Sequence, residues 1–504
     1  MEILIAILIG GGFVYWLGQR SGAKLHGGNH SSAQKPTAKE ASSADHTRFQ
    51  KQPVAPPQKA TPPPRPAPPP PPKRIRVVPP PENIELTPEF KAALELLENT
   101  ATNLFITGKA GTGKSTLLRH FMSTTEKRCV VLAPTGLAAV QISGATIHSF
   151  FRFAPRLLEP AAIQPDGRYR ALYENVDVII IDEVSMVRAD MMQAMDIHLR
   201  RARRRDEPFG GVQMVFFGDL FQLPPVVTSD VAQYFYDRFG GPFCFQTPAW
   251  QDARVKRIQL TKIFRQSDTA FIEVLNAVRV GEVEDHHWKK LNTRVDYFFQ
   301  VENQQDEYIT LAPTNRRVDE TNATRLATLR EQTFTFRGQI SGDFKQSNCP
   351  APEVLELKKG AQVMMVKNHG EKMWVNGSIG KVHSVSNDLI EVDIEDRIYP
   401  VQQEAWETVE YEYDREKRKM QQVVVGTFRQ YPMKLAWAIT IHKSQGLTFD
   451  RVHIDMGNGA FAHGQTYVAL SRCRTLEGIV LRQPVGQGDL KVDPLVVAYF
   501  NTEN

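Results

Sequence analysis

Short apolar runs alternate with helix-like patterns from residue 85 onward, and this alternation constrains the fold more than any other feature of the chain. The segments that contain these runs include NLFITG, RCVVLAP, VDVIIIDE, VQMVFFGD, EYITLAP and VHIDM. Strands of this kind between helices predict a parallel sheet covered by helices on both faces. The runs form two series separated by LTKIFRQ, so we predict two α/β units.

A stretch of a different kind interrupts the second series. Its apolar segments are AQVMMVKN, VNGSIGKVHSV, LIEVDI, RIYPV and VVVGTF, with turn residues between them. Short strands with frequent turns are typical of a small β barrel. We therefore assign residues 85–262 to the first α/β unit, 263–356 and 431–504 to the second, and 357–430 to an inserted β domain. A chain of 504 residues is too long for a single core and agrees with several domains.

The first 84 residues differ in composition from the rest of the chain. Residues 3–18, ILIAILIGGGFVYWLG, carry no charge, but the run is shorter than the roughly 20 residues that usually span a bilayer. It is compatible with a transmembrane anchor at residues 1–18 or with a buried apolar segment. Residues 19–84 hold eleven Lys or Arg against three acids, and proline occupies 15 of the 29 positions from Pro53 to Pro81. This composition predicts a disordered, basic, Pro-rich linker that extends as a spacer.

The basic linker also bears on location. Arg20 and Lys24 directly follow the apolar run, and positive residues favour the cytoplasmic side of a cell membrane. An anchored chain would therefore keep its α/β units on the cytoplasmic face, and the linker would be attracted to an anionic membrane surface. The four cysteines lie far apart, which excludes a CxxC pair and agrees with a reducing compartment.

The most informative motif is GKAGTGKS at residues 108–115, which follows the apolar run NLFIT and opens the helical pattern STLLRHFM. It has the form GxxxxGK[ST], in which glycines let backbone N–H groups surround phosphates at a helix N-terminus. Lys114 would reach the terminal phosphates, and Ser115 would bind Mg²⁺. We therefore predict ATP and Mg²⁺ as cofactors. The predicted nucleotide contacts of this segment are Gly108, Ala110, Gly111, Thr112, Gly113, Lys114, Ser115 and Thr116.

Two acidic residues, Asp182 and Glu183, end the apolar run VIII. The carboxyl ends of parallel strands converge on one ligand site, so both carboxylates should lie near the phosphates. Asp182 would then hold the metal together with Ser115, and Glu183 would polarise the attacking water. Without the phosphate loop, the same pair would be interpreted as a solvated strand end.

Further motifs narrow the class, because a phosphate loop and an acidic strand end define only a P-loop NTPase. In chain order they are LAPTGLAA (132–139), GATIHSFF (144–151), IIIDEVSMVRADMM (179–192), FFGDLFQLPPV (216–226), LTKIFRQ (260–266), LAPTNRRVDETN (311–322), VNGSIGKV (375–382), AITIHKSQGLTFD (438–450) and YVALSRCR (467–474). This series, within residues 85–490, resembles the superfamily 1B DNA helicases, in particular the RecD-like and petite-integration-frequency (PIF) group.

The resemblance implies an architecture and an activity. The α/β units would be RecA-like lobes 1A (85–262) and 2A (263–356 and 431–504), with a 1B wedge at about 152–174 and an SH3-like 2B insertion at 357–430. The chain would be a monomeric ATP-dependent motor on single-stranded DNA. It would move 5′-to-3′ and unwind forked duplex DNA in repair, replication or recombination. A membrane-tethered ATPase that remodels a protein assembly is the alternative.

The resemblance also implies site residues at matching positions. Gln222 would sense the γ-phosphate, and Arg265 and Arg472 would reach it from the second lobe, where guanidinium groups neutralise developing charge. Together with Lys114 and Glu183, these three would carry catalysis. Small polar and basic residues, which are also typical of turns and caps, would line the single-strand track. They are Thr135, Gly136, Thr146, His148, Thr314, Asn315, Thr440, His442 and Lys443.

Three features leave alternatives open. Phe90 stands where the family has a glutamine that reads adenine, so base selectivity is open. The arginine-rich segment 199–205 is either a solvated helix face or a contact for DNA or a partner. Phe150 and Phe151 either stack on bases or belong to the core.

Overall fold

The computed structural model describes residues 84–154, 156–266, 268–299, 308–371, 373–414, 416–417 and 419–502. The predicted anchor (1–18) and all but the last residue of the predicted linker (19–84) lie outside these residues, and both stay predictions. In the part of the chain that the structure describes, no helix combines the length and the apolar character that a membrane span requires.

The first α/β unit is a six-stranded parallel sheet with its helices. Its elements in chain order are α1 (Pro88–Asn99), β1 (Leu104–Gly108), α2 (Lys114–Thr124), β2 (Cys129–Ala133), α3 (Gly136–Gln141), β3 (Ala145–Thr146), α4 (Ile147–Phe151), α5 (Arg170–Asn175), β4 (Val178–Ile181), α6 (Ala189–Arg203), β5 (Gln213–Gly218), α7 (Ser229–Phe239), α8 (Pro248–Asp252) and β6 (Lys256–Leu260). The strand order is β3-β2-β4-β5-β1-β6. Strands β1, β2, β4 and β5 are buried along their full length, as expected for strands covered on both faces.

The remaining elements run from Thr269 to Asn501 and include a second parallel sheet. In chain order they are α9 (Thr269–Val280), α10 (Asp285–Asn292), β7 (Ile309–Ala312), α11 (Asn315–Thr328), β8 (Phe334–Arg337), β9 (Gln339–Gly342), β10 (Val354–Leu357), β11 (Gln362–Met365), β12 (Ile379–Val385), β13 (Ile390–Ile394), β14 (Arg397–Val401), β15 (Glu404–Asp414), β16 (Lys419–Gln430), β17 (Met433–Leu435), β18 (Ala438–Thr440), β19 (Val452–Ile454), α12 (Gln465–Leu470), β20 (Ile479–Leu481) and α13 (Pro494–Asn501). The second parallel sheet has the order β18-β7-β19-β20. The prediction of two parallel α/β units is confirmed.

Antiparallel strands lie between β7 and β18 in the sequence. Strands β14-β13-β12-β11-β17 form a five-stranded sheet around its own apolar core, and the long hairpin β15–β16 pairs with β9. Antiparallel pairing already begins at Phe334, where β8 meets β10, upstream of residue 357.

The C-terminal helix α13 packs against the first unit, although it follows the last strand of the second. Tyr499 stacks on Phe245, and the ring of Phe500 lies 5.0 Å from that of Phe221. Val496 is buried in the same apolar cluster as the first sheet. The helix therefore ties the end of the chain back to the core of the first unit.

The segment predicted as a wedge, 152–174, consists mainly of short turns in its described part, with single 3₁₀ turns at Pro160–Ala162 and Gly167–Tyr169. Arg201 donates to the carbonyl of Ile163, and Arg203 donates to that of Tyr173. Two arginines of the run 199–205 thus hold this segment onto α6. Phe150 and Phe151 are buried, so the core interpretation of these rings is the right one.

Candidate nucleotide site and nucleic-acid track

The phosphate loop joins β1 to α2 with two glycines in the left-handed region. Gly111 has φ 81° and Gly113 has φ 84°. A Cβ on Gly111 would lie 2.5 Å from the Cβ of Arg265, so the second unit approaches the loop too closely for any side chain. The Lys114 ammonium donates to the carbonyl oxygens of Gly108 (2.6 Å) and Lys109 (3.1 Å). Burial lowers the pKa of Lys114, and an incoming phosphate would offset that cost.

A cavity of about 480 Å³ lies over this loop, between the two α/β units. Of the residues predicted to bind nucleotide, Gly108 and Asp182 do not line it, although Gly108 contacts Lys114 and Asp182 contacts Glu183. The lining residues are Ala110, Gly111, Thr112, Gly113, Lys114, Ser115, Thr116, Arg119, Glu183, Gln222, Phe264, Arg265, Gly446, Thr448, Arg472 and Arg474.

Two adjacent carboxylates follow β4 at the edge of this cavity. Glu183 has φ 51°, a conformation that is rare for a residue with a side chain, and its N–H donates to Asp182 Oδ1 at 3.0 Å. Burial, together with the neighbouring Glu183 charge, raises the pKa of Asp182 to about 7. Burial also raises the pKa of Glu183, while the charges of Lys114 and Arg472 oppose that effect. Such a pair is stabilised by a cation, which is the environment that a metal site requires.

The second unit places two arginines on the opposite wall of the cavity. Arg472 is 1% exposed and donates to the carbonyl oxygens of Val468 (2.9 Å), Leu447 (3.2 Å) and Ser444 (3.3 Å). Burial lowers its pKa to about 9, with the nearby Arg265 contributing in the same direction. Two desolvated guanidinium groups close to each other favour an anion between the units.

Sequence reasoning missed a buried polar network that joins the two units. The Tyr467 hydroxyl accepts the Ala110 N–H of the phosphate loop at 2.9 Å and donates to Asp219 at 3.3 Å. Asp219 pairs with Arg279 at 2.8 Å, and the Arg279 guanidinium lies 4.2 Å from the centroid of the Phe221 ring. Asp219 and Tyr467 both fall within motifs, but no local pattern predicts Arg279.

Arg474, Arg119 and Phe264 also line the cavity and were not predicted. Arg474 follows Arg472 by two residues, and this spacing was the available signal. The Phe264 ring, 46% exposed, lies 6.4 Å from that of the buried Phe90. Phe264 lines the cavity and Phe90 does not, so the position of Phe90 does not decide base selectivity.

Five of the nine predicted track residues line one of two cavities. Gly136, Thr146 and His148 share a cavity of about 330 Å³ in the first unit, whose opposite wall includes Asn348 and Glu410. In the second unit, Thr440 and Lys443 share another cavity, of about 350 Å³. Neither of these cavities is lined by Thr135, Thr314, Asn315 or His442.

Local structure explains why threonine recurs in these positions. Thr135 accepts the Ala138 N–H, Thr146 accepts the Ser149 N–H, and each thereby caps a helix N-terminus. Thr440 accepts the Lys443 N–H at 3.2 Å. The cap interpretation is thus correct for Thr135 and Thr146, whereas Thr440, which is buried, stabilises a turn with its hydroxyl.

A phosphate loop on one parallel sheet, faced across a cavity by arginines from a second, defines a P-loop NTPase with two α/β lobes. Residues 85–289 match the model of the PIF1-like helicase family, and residues 345–385 match that of the 2B domain of the DNA helicase Pif1. The chain belongs to the PIF1-like helicase family, as its motifs had indicated.

Known proteins of this family align with most of the chain. The ATP-dependent DNA helicase Pif1 of Bdellovibrio bacteriovorus is 34% identical over 84% of this chain and 93% of its own length. Several curated relatives are longer, and the chain spans 58% to 69% of their length. A structure of Bacteroides sp Pif1 with ADP-AlF4 is 35% identical in sequence and has a TM-score of 0.76; the alignment covers 83% of this chain and 97% of that one. The structure of Bacteroides Pif1 bound to ssDNA is also 35% identical and has a TM-score of 0.61; that alignment covers 83% of this chain and 96% of that one.

Proposed function

We propose that the chain is an ATP-dependent DNA helicase that moves 5′-to-3′ along a single strand and acts in DNA repair, replication or recombination. The cavity between the phosphate loop and the arginines of the second unit carries this proposal. Nucleotide bound there would contact both units, so binding and release of the γ-phosphate would change their separation. Alternating grip on a strand would convert that change into steps.

Each residue of the cavity would have a chemical task. The Lys114 ammonium would neutralise the terminal phosphates, Glu183 would accept a proton from the attacking water, and Gln222 would sense the γ-phosphate. Arg265 and Arg472 would stabilise charge that develops on the γ-phosphate. Arginines of this kind contribute roughly 10³- to 10⁵-fold in rate.

Mg²⁺ fits the oxygen groups at the edge of this cavity. The Ser115 hydroxyl and the Asp182 carboxylate are the ligand types that this ion prefers. The raised pKa of Asp182 supports the assignment, because a cation would relieve the repulsion between two neighbouring carboxylates. When bound, the ion would neutralise charge on the transferred phosphoryl group.

The single strand would cross both units on the predicted track residues, and the 152–174 segment would separate the duplex at a fork. Support comes from the family and from Bacteroides Pif1, whose ssDNA-bound structure aligns with this chain. The Lys443 charge and the threonine-capped backbone near Gly136 suit a phosphate chain. The motor would act as a monomer.

The decisive experiment measures ATP hydrolysis with and without single-stranded oligonucleotides. We expect strong stimulation by DNA, and we expect a forked duplex with a 5′ tail to be unwound in preference to one with a 3′ tail. The alternative function, a membrane-tethered ATPase that remodels proteins, predicts hydrolysis that is indifferent to DNA. Unwinding from the 3′ tail alone would contradict the proposed direction.

The proposed location rests only on the sequence of residues 3–84. We propose that residues 3–18 anchor the motor, with its lobes on the cytoplasmic face and the basic linker near anionic head groups. Membrane fractionation of the full chain and of a variant lacking residues 1–18 tests this. The full chain should stay in the membrane fraction at high salt, and its release by salt would contradict an anchor.

A further inference from the structure

A cavity of about 350 Å³ adjoins the predicted track in the second unit, where α11 and β18 meet β10 and β17. Its lining includes Thr440 and Lys443 together with the apolar side chains of Leu326 and Ile439. Lys434, the middle residue of β17, also lines it. No motif of the sequence singles out Lys434, and nothing in the nucleotide site involves it.

Lys434 is an ammonium group without a protein partner among the described residues: none forms a hydrogen bond or an ion pair with its Nζ. Asp319 and Glu356 line the same cavity, but both are exposed and neither pairs with a lysine there. Burial lowers the pKa of Lys434 to about 8, and the charge of Lys443 acts in the same direction. Lys434 is partly buried, and it shares the cavity lining with a second cation, Lys443. Two neighbouring cations without an acidic partner are stabilised when an anion enters the cavity that both line.

We infer that Lys434 and Lys443 together hold one backbone phosphate of the bound single strand in this cavity. The inference rests on the proposed function and adds a contact to its track. Lys443 and Thr440 place the cavity beside the strand, and the apolar walls leave room for the attached sugar or base. Lysine binds phosphate as a point charge, so the contact would contribute affinity and no base preference.

The test is the salt dependence of oligo-dT binding to the full chain, since each phosphate contact on a single strand contributes about 0.7 to the slope of log K against log salt. Lys434→Gln should reduce that slope by about 0.7, whereas Lys434→Arg should retain it. Lys381→Gln is the matched control, because Lys381 lies on β12 of the same sheet and is exposed. An unchanged slope in a folded Lys434→Gln variant would overturn the inference.

A second measurement needs no mutation and covers the case in which the variant misfolds. Lysine acetylation of the wild-type chain, read by mass spectrometry, should show oligo-dT protecting Lys434 and Lys443 but leaving Lys381 reactive. Unprotected Lys434 would overturn the inference. Equal protection by inorganic phosphate, at the same phosphate concentration, would overturn the assignment to a strand.

The wild-type titration separates this inference from the proposed function. If the wild-type chain does not bind oligo-dT, the proposed function fails with it. If the wild-type chain binds with a normal salt slope and Lys434→Gln behaves identically, only the phosphate site fails.

Discussion

Arg472 is the largest fully buried side chain among the described residues, and its bonds suggest two roles. Its guanidinium holds backbone carbonyls of the second unit, and it also lines the nucleotide cavity. Burial makes the isolated cation costly, so γ-phosphate charge that develops during transfer should stabilise it most. The two roles can be separated experimentally.

We expect Arg472→Ala to reduce turnover by about 10³-fold or more while ADP affinity changes less than about tenfold. Steady-state ATPase rates and titration with a fluorescent ADP analogue measure the two effects. Arg294→Ala is the control, because Arg294 also donates to backbone carbonyls of the second unit but does not line the cavity. Equal losses in turnover and ADP affinity would mean that Arg472 is purely structural.

Glu183 should act on water and not on nucleotide binding. Glu183→Gln removes the proton acceptor but keeps the shape, so we expect hydrolysis to fall by at least about 10²-fold with ATP affinity retained. Lys114→Ala should instead abolish binding, since the ammonium is the group that would hold the phosphates. The raised pKa of Glu183 means that lower pH protonates the base, so the wild-type rate should fall on the acid side. A wild-type rate in Glu183→Gln would refute the assignment.

At the scale of elements, helices α12 and α13 near the end of the chain contact residues of the first unit. Tyr467 on α12 is the only side chain among the described residues that accepts a hydrogen bond from the Ala110 N–H. Tyr467 is hydrogen-bonded to Asp219, which pairs with Arg279. The Arg279 guanidinium in turn lies over the rings of Phe221 and of Phe500 on α13. A movement of the second unit would therefore shift the Tyr467 hydroxyl and, through its hydrogen bond to the Ala110 N–H, the phosphate loop.

We expect Tyr467→Phe to lower kcat/KM for ATP by about tenfold, because a buried N–H without a partner costs about 1–3 kcal/mol. Tyr173→Phe is a matched control: its hydroxyl is also buried and donates to the Phe150 carbonyl at 2.9 Å, away from the cavity. Both variants should lose similar stability in thermal unfolding. If both also lose the same activity, the Tyr467 effect is one of stability alone.

Functional residues that lie within one short motif could be placed from the sequence. Contacts between residues far apart in the sequence could not. Lys114, Glu183 and Gln222 lie in short segments where the strand, the turn and the functional residue are contiguous, so their motifs predicted their place. The contact of the Tyr411 hydroxyl with the Val131 N–H, at 3.1 Å, joins residues 280 positions apart. The alternating pattern of β15 predicts that one face of the strand is buried. It does not predict that this face packs against the first unit, as Tyr411 does.

At the scale of the whole molecule, the hairpin β15–β16 and Asn348 form one wall of the cavity that Gly136, Thr146 and His148 line. Gln422 donates to the Ser143 carbonyl at 2.9 Å, and Arg152 forms a bidentate ion pair with Glu410. Asn348 approaches Gly136 so closely that an added Cβ would lie 2.1 Å from its Cγ. A strand bound at Gly136 would have to displace this wall.

Breaking the Arg152–Glu410 pair should therefore tighten DNA binding. The two side chains are 27% and 20% exposed, so we assign the pair about 1 kcal/mol and expect roughly fivefold higher affinity for oligo-dT in Glu410→Gln. Fluorescence anisotropy at fixed salt measures this affinity.

Arg152 lies near the track and could contact DNA itself, so Glu410→Gln is the informative change and Arg152→Gln the comparison. Glu407→Gln is the control for lost negative charge, because Glu407 lines the same cavity and forms no ion pair with a described residue. Equal tightening in both glutamate variants would indicate simple charge attraction, whereas tightening in Glu410→Gln alone would identify the ion pair as the closure that DNA must open.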